Sequence, residues 1–273
     1  MNRSRNPLQG EKKEYRPQII AFMAAVHVLA LVALPFYSVP NLVAFLVLYA
    51  VTAIGVTLGL HRMASHKSFK SPKWLERILM TCGALSAQGG VIEWVGLHRH
   101  HHLHSDEEVD HHDSYRGFWW AHFEWMIHKV PAMASIPALT KDLQRDPYYR
   151  WLEEYFLLTQ VPLGVVLFLI GGWTMVLWGI PLRMAVVYHV TWLVNSATHT
   201  WGYRSYVTED NSRNNWWVAL LTFGEGWHNN HHAIQQRARH GLRWYEVDIT
   251  YYIIWILEKL NLATNVKRER RPS

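Results

Sequence analysis

Residues 17–60 contain no Lys, Arg, Asp or Glu, and that absence constrains a chain of 273 residues more than any other feature. As one helix the stretch would rise roughly 66 Å at about 1.5 Å per residue, twice the hydrocarbon core of a bilayer. Pro35 and Pro40 interrupt it near its middle, so it reads as two membrane spans joined by a tight turn. Residues 155–182 and 184–203 are again uncharged and are punctuated by Gly171, Gly172, Gly179 and Pro181, which predicts a second helical pair.

The basic residues lie outside these stretches. Arg3, Arg5, Lys12, Lys13 and Arg16 precede the first span, Lys267, Arg268, Arg270 and Arg271 close the chain, and most of the rest fall in 61–154. The turns expected at Tyr37–Asn41 and Gly171–Pro181 carry no charge, so the positive-inside rule places both termini in the cytoplasm. Arg183 is the exception and is expected to snorkel outward. A net charge of +6 concentrated at the ends suits anionic lipid headgroups better than nucleic acid. A cleaved signal peptide would need a small-residue cleavage site that residues 19–34 do not offer, so the first apolar run is expected to remain as an anchor. The single cysteine, Cys82, excludes a disulfide framework.

Histidine gathers at the polar ends of the apolar stretches. Of 18 His, eight fall in three clusters: His61 and His66; His98, His101 and His102; His228, His231 and His232. Imidazole suits borderline metals such as iron, and eight rings exceed what one mononuclear site uses, so a dinuclear centre is expected. On a helix, positions i, i+3 and i+4 lie within about 100° of one another, so each His-x-x-His-His triplet can project from one face. His61 and His66 stand about 140° apart on a regular helix; either the helix ends there or the two serve different metals. His199 lies where the last span emerges, at the depth of His61, and position alone leaves it an interfacial residue or a ligand. Asn195, one turn earlier, can hold a water on a metal. Glu93, Asp106 and Glu225 flank the clusters and can accept a hydrogen bond from the outer ring nitrogen of a ligand histidine. The other nine histidines, His240 among them, show no ligand spacing.

Between the clusters, Ser71-Pro72 predicts an N-cap followed by a helix along the membrane surface. The aromatic run Tyr115, Phe118, Trp119, Trp120, Phe123 and Trp125 suits an interfacial segment. Residues 249–260 form an apolar helix too short to span, which should dock on a polar cap. No His-Glu-x-x-His string occurs, which excludes the zinc peptidase pattern. A metal transporter would spread ligands along a path through the bilayer, whereas these gather at one end of the spans.

Four segments together resemble the membrane-bound fatty acyl desaturases of the delta-9 branch, the group that includes stearoyl-CoA desaturases and bacterial acyl-lipid desaturases. They are Gly59-Leu60-His61-Arg62-Met63-Ala64-Ser65-His66, Glu93-Trp94-Val95-Gly96-Leu97-His98-Arg99-His100-His101-His102, Asn195-Ser196-Ala197-Thr198-His199 and Gly224-Glu225-Gly226-Trp227-His228-Asn229-Asn230-His231-His232. The resemblance implies an all-α integral membrane protein, a mushroom-shaped four-helix bundle with a helical cytosolic cap holding a histidine-ligated di-iron site. On that plan residues 1–16 are a basic cytosolic N-terminus, 17–60 the first two transmembrane helices and 61–154 cap. Residues 155–203 hold the third and fourth helices, 204–262 the rest of the cap, and 263–273 a basic tail.

The resemblance also implies roles. The nine histidines, His199 included, would ligate two irons, with Asn195 acting through water. The reaction would use O2 and two electrons to introduce a cis double bond, at delta-9, into a saturated long-chain acyl group carried by a lipid or by CoA. Trp94 and Thr191 would line the bend of the acyl channel with Gln88 nearby, and Tyr49 would cap its methyl end. Only a basic tail follows Val266, so a separate electron donor is expected, ferredoxin or cytochrome b5. Oxygen insertion by a related di-iron hydroxylase is the alternative within the same chemistry.

Overall fold

A computed structural model describes residues 14–268; Arg3, Arg5, Lys12, Lys13, Arg270 and Arg271 lie outside the described residues. Among these, the regular structure is helical, and only isolated bridges such as Lys70 with Thr264 stand in for sheet. α1 (Pro17–Ala33) begins with proline in its first turn, where no amide bond is lost, and runs into a 3-10 turn, Leu34–Phe36. Ser38 caps α2 (Val39–Ile54) by accepting a 3.3 Å bond from the Asn41 amide, so the first break falls between the two prolines.

α2 continues without interruption into a π-helix, Gly55–Ser65. α3 (Lys73–Ala84) packs across it at backbone contact distance: a Cβ on Gly55 would stand 2.2 Å from the carbonyl carbon of Cys82. Ser71 is not the cap of α3. The N-cap position is Pro72, and the Ser71 hydroxyl instead donates 3.0 Å to the Leu262 carbonyl, tying the C-terminal segment to this corner.

α4 (Val91–His104), α5 (Phe118–His122) and the short α6 (Ile136–Leu139) and α7 (Lys141–Gln144) follow. α8 (Pro147–Tyr155) leads into α9 (Gln160–Leu177), and α10 (Arg183–Ser196) ends beside His199. α11 (Trp216–Leu221), α12 (His228–Ala233) and α13 (Ile249–Lys259) complete the order. As expected of a short apolar helix, α13 docks: Ile254 is buried in one cluster with Leu60, Met80, Val95 and Leu152.

Among the described residues, three helical runs are long and apolar enough to cross a membrane, Pro17–Phe36, Val39–Ser65 and Pro147–His199. Leu31, Val47, Leu169 and Trp173 point outward from them, as lipid-facing surface requires. The third run, 53 residues long, breaks at Gly171 and Gly172, where φ +65° at Gly172 is left-handed backbone. This turn is shorter than expected, because Pro181 lies inside a π-helical segment, Trp178–Leu182, leading into α10.

Arg183 does not snorkel. It is fully buried, and donates from Nε to the Gly179 carbonyl (2.8 Å), from Nη1 to Thr52 Oγ1 (2.6 Å) and the Leu85 carbonyl (2.7 Å), and from Nη2 to Gln160 Oε1 (2.8 Å). Neutral oxygens from four segments replace water around the guanidinium, which is why the side chain turns inward.

Candidate metal centre

Two groups of histidine nitrogens converge inside the protein. His61, His66, His98, His102 and His231 form one, His101, His199, His228 and His232 the other, each with its nitrogens within 4.8 Å of one another. The division follows from helix geometry. On α4, His98 and His102 stand about 40° apart while His101 lies about 60° to the other side of His98; the same offsets hold on α12. α4 therefore gives two rings to the first group and one to the second, and α12 gives one to the first and two to the second.

The open question about His61 and His66 has a structural answer. The π-helix closes i→i+5 bonds, and the His66 amide donates 3.1 Å to the His61 carbonyl, so residues five apart share a face. Their ring centroids are 4.8 Å apart, in one group.

Ring nitrogens face each other at short range. His61 Nε2 is 3.1 Å from His231 Nε2, His231 Nε2 is 3.0 Å from His102 Nε2, and His66 Nε2 is 2.7 Å from His98 Nε2. In the second group His199 and His228 approach to 3.1 Å, while His101 Nε2 and His232 Nε2 are buried with no hydrogen-bond partner. Burial first, then the neighbouring rings, push His98, His101, His102, His228 and His231 well below the ordinary imidazole value of 6.5. Such rings are neutral and carry a free lone pair. Buried ring nitrogens crowded at this density, with those of His101 and His232 partnerless, fit metal ions.

Carboxylates hold the outer nitrogens. His101 Nδ1 is 2.8 Å from Asp110 Oδ2, His199 Nδ1 is 2.8 Å from Asp106 Oδ2, and His232 Nδ1 is 2.6 Å from Asp210 Oδ2. An Nδ1–H donated outward leaves the Nε2 lone pair facing inward. Glu225 Oε2 lies 2.7 Å from His61 Nδ1, while Oε1 accepts from Arg62 Nε (3.1 Å) and Nη2 (2.9 Å). Burial alone would raise the Glu225 carboxyl; Arg62, then His61 and His240, hold it well below the usual carboxylate range. For Asp106 and Asp210 burial is likewise outweighed, chiefly by His199 and His232, whereas burial pushes the Asp110 carboxyl up.

Of the three flanking carboxylates expected at the centre, Glu225 and Asp106 reach it. Glu93 does not: five residues before His98, it sits about 140° around α4, and its Oε1 is 3.9 Å from Arg16 Nη2. Asp110 and Asp210 were missed, because each comes from a loop with no spacing relation to its ring. His111 and His112 are buried, with His112 pushed down to about 3 by burial and His101. His27 Nε2 of α1 lies 3.2 Å from His189 Nε2 of α10.

An apolar cavity opens at the centre, and His61, His98, His101 and His228 line it together with Ala53, Val187, Val190 and Tyr49. The Tyr49 hydroxyl donates 2.6 Å to the Leu221 carbonyl. A second cavity shares Trp94, His98, Thr191 and Asn195 with the first and is also lined by Gln88, His112 and Trp125. Gln88 ties the shared wall together: Trp94 Nε1 donates to its Oε1 (3.2 Å) and its Nε2 donates to Thr191 Oγ1 (2.9 Å). Asn195 lines both cavities.

Residues 37–263 match the family model described as fatty acid desaturase. An sn-1 stearoyl-lipid 9-desaturase of Anabaena variabilis is 56% identical over 223 residues, 81% of this chain and 82% of that protein. An enzyme of the same name from Synechocystis sp. is 54% identical over 91% of this chain and 79% of its own. An sn-2 palmitoyl-lipid 9-desaturase of Nostoc sp. is 43% identical over 95% of this chain and 93% of its own.

Proposed function

The chain belongs to the fatty acid desaturase family, and from that premise we propose that it is an acyl-lipid desaturase that places a cis double bond at delta-9 of a saturated long-chain acyl group. The observation that carries this reading is one juxtaposition: two groups of buried histidines beside an apolar cavity whose lining includes Tyr49. An aliphatic C–H bond offers neither an acidic proton nor polarity, so side-chain acid–base chemistry has no purchase on it. Two irons, when bound, supply the oxidising power drawn from O2 and two electrons. The nine histidines would hold them, five at one and four at the other, with Asn195 contributing through water.

The remaining work is positional, and it falls to this chain's own side chains. Outward donation of Nδ1–H by His101, His199 and His232 fixes which nitrogen each ring presents. Trp94, Gln88 and Thr191 hold the elbow between the two cavities, so a methylene pair bent there lies against His98. The apolar walls exclude water from the reacting carbons, and Tyr49 limits how far the methyl end can enter. An acyl chain in this position enters from a lipid, in keeping with the substrates named for the relatives.

We place four transmembrane helices in the bilayer, the third long run counting as two about its Gly171–Gly172 break. Both termini and the histidine cap then face the cytosol, where ferredoxin or cytochrome b5, both acidic, would meet a basic surface. Expression in a host that makes no unsaturated fatty acids, followed by mapping of double bonds in each lipid class, tests the reading. Delta-9 monoenes in glycerolipids are expected; a hydroxylated acyl chain without an alkene would overturn it.

A further inference from the structure

His240 lies outside the nine histidines, and no motif or spacing singles it out. It is nonetheless one of the most buried side chains in the protein, 1% exposed, and it touches the five-histidine group on two sides. Its ring stacks on His231 at 4.3 Å between centroids and stands edge-on to His61 at 5.6 Å. Its main chain is pinned at both ends: the amide donates 2.7 Å to Asp248 Oδ2, and the carbonyl accepts 2.9 Å from Asn230 Nδ2, a residue of the helix that carries His231.

The ring meets the Glu225 carboxylate. Its Nδ1 lies 3.1 Å from Glu225 Oε2, the same oxygen that stands 2.7 Å from His61 Nδ1. The other oxygen, Oε1, is held by two N–H groups of Arg62, whose guanidinium also contacts Asp248 and the Ala238 carbonyl. Oε2 is therefore bracketed by two imidazoles, and meets straight hydrogen-bond geometry with neither. Arg62 fixes Oε1, and His61 and His240 flank Oε2. A phenylalanine or leucine would fill the space beside His231 without leaving a ring nitrogen unsatisfied, yet His240 Nε2 is buried with no partner. Packing alone does not account for an imidazole here.

We infer that His240 is a positioning residue: with Arg62 it fixes the Glu225 carboxylate, which in turn orients His61 in the five-histidine group. This rests on the reading of that group as an iron site. A ligand histidine whose outer partner is loosened binds its metal about 10–100-fold less well, and the loss should fall on the five-histidine site alone.

Three forms of the full-length protein in detergent separate donation from stacking: wild type, His240→Phe, which keeps a ring without N–H, and His240→Asn, which keeps a donor near Nδ1 without the ring. Each is loaded with 57Fe, examined by Mössbauer spectroscopy and challenged with a chelator. His240→Phe is expected to shift one of two iron signals and to lose that iron about tenfold more readily, while the other signal stays put and His240→Asn lies near wild type. His240→Leu is expected to repeat the Phe result and serves if the Phe protein does not accumulate. Phe and Leu proteins with both signals and both affinities unchanged would overturn the inference, as would a change of equal size at both irons. Cobalt(II) spectra are recorded in parallel. A wild type that binds cobalt but not iron would overturn the iron reading, and the one-site change would then be scored on the cobalt bands.

Discussion

Replacing Arg183 by lysine should destabilise the protein more than replacing it by methionine, although lysine is the closer match in charge. The guanidinium makes four hydrogen bonds to neutral oxygens of Gly179, Thr52, Leu85 and Gln160, and no carboxylate contacts it. A lysine ammonium has three N–H groups on one atom and cannot span the same oxygens, so at least one charged hydrogen bond disappears while the charge stays buried. Each such bond contributes about 1.5–3 kcal/mol, and an under-partnered buried charge costs about 3–5 kcal/mol. Methionine leaves carbonyls unpaired but removes the charge, which offsets much of that loss. At about 2–4 °C per kcal/mol for a chain near this size, Arg183→Lys should lower the unfolding midpoint by roughly 6–20 °C. Thermal unfolding of the purified proteins in one detergent measures it. A lysine variant melting within about 2 °C of wild type, or well above the methionine variant, would refute the reasoning.

Two further outcomes follow from the same geometry. Tyr49→Ala removes a large side chain from the lining of the apolar cavity, so desaturation should extend to acyl chains longer than those wild type accepts; an unchanged chain-length profile by gas chromatography would separate Tyr49 from the channel. The metal-free protein should lose stability as pH falls below about 6.5. Five of the buried rings have pKa values depressed on folding, so the unfolded chain takes up protons below 6.5 that the folded one refuses, and stability rises with pH across that window. Bound metal should flatten the slope; an apo-protein whose midpoint is constant from pH 7 to about 5.5 would contradict the assignment of neutral rings.

The spans and histidine groups were legible because both depend on local pattern. Absence of charge over 17–60 is a property of the stretch itself, and the i, i+3, i+4 spacing of His98, His101 and His102 survives any packing of α4. What the sequence concealed depends on contacts between distant segments. The π-helix that brings His61 and His66 together is bound up with α3, where Gly55 meets Cys82 at backbone distance. Asp110 and Asp210 reach their rings through loops, so no spacing rule finds them; the surplus of acids near the clusters was the only signal. Glu93 illustrates the reverse, since adjacency along the chain put it beside His98 and helix rotation turned it away. Arg183 read as a surface cation because its four acceptors are contributed by segments far apart in sequence. His240 had no pattern at all.

The central claim is that the nine histidines form two sites, five rings around one iron and four around the other. Anomalous diffraction at the iron edge from crystals of the iron-loaded protein tests it most directly. Two peaks are predicted, one among His61, His66, His98, His102 and His231 and one among His101, His199, His228 and His232. A single peak, or a pair drawing on a different partition of these rings, would contradict the account.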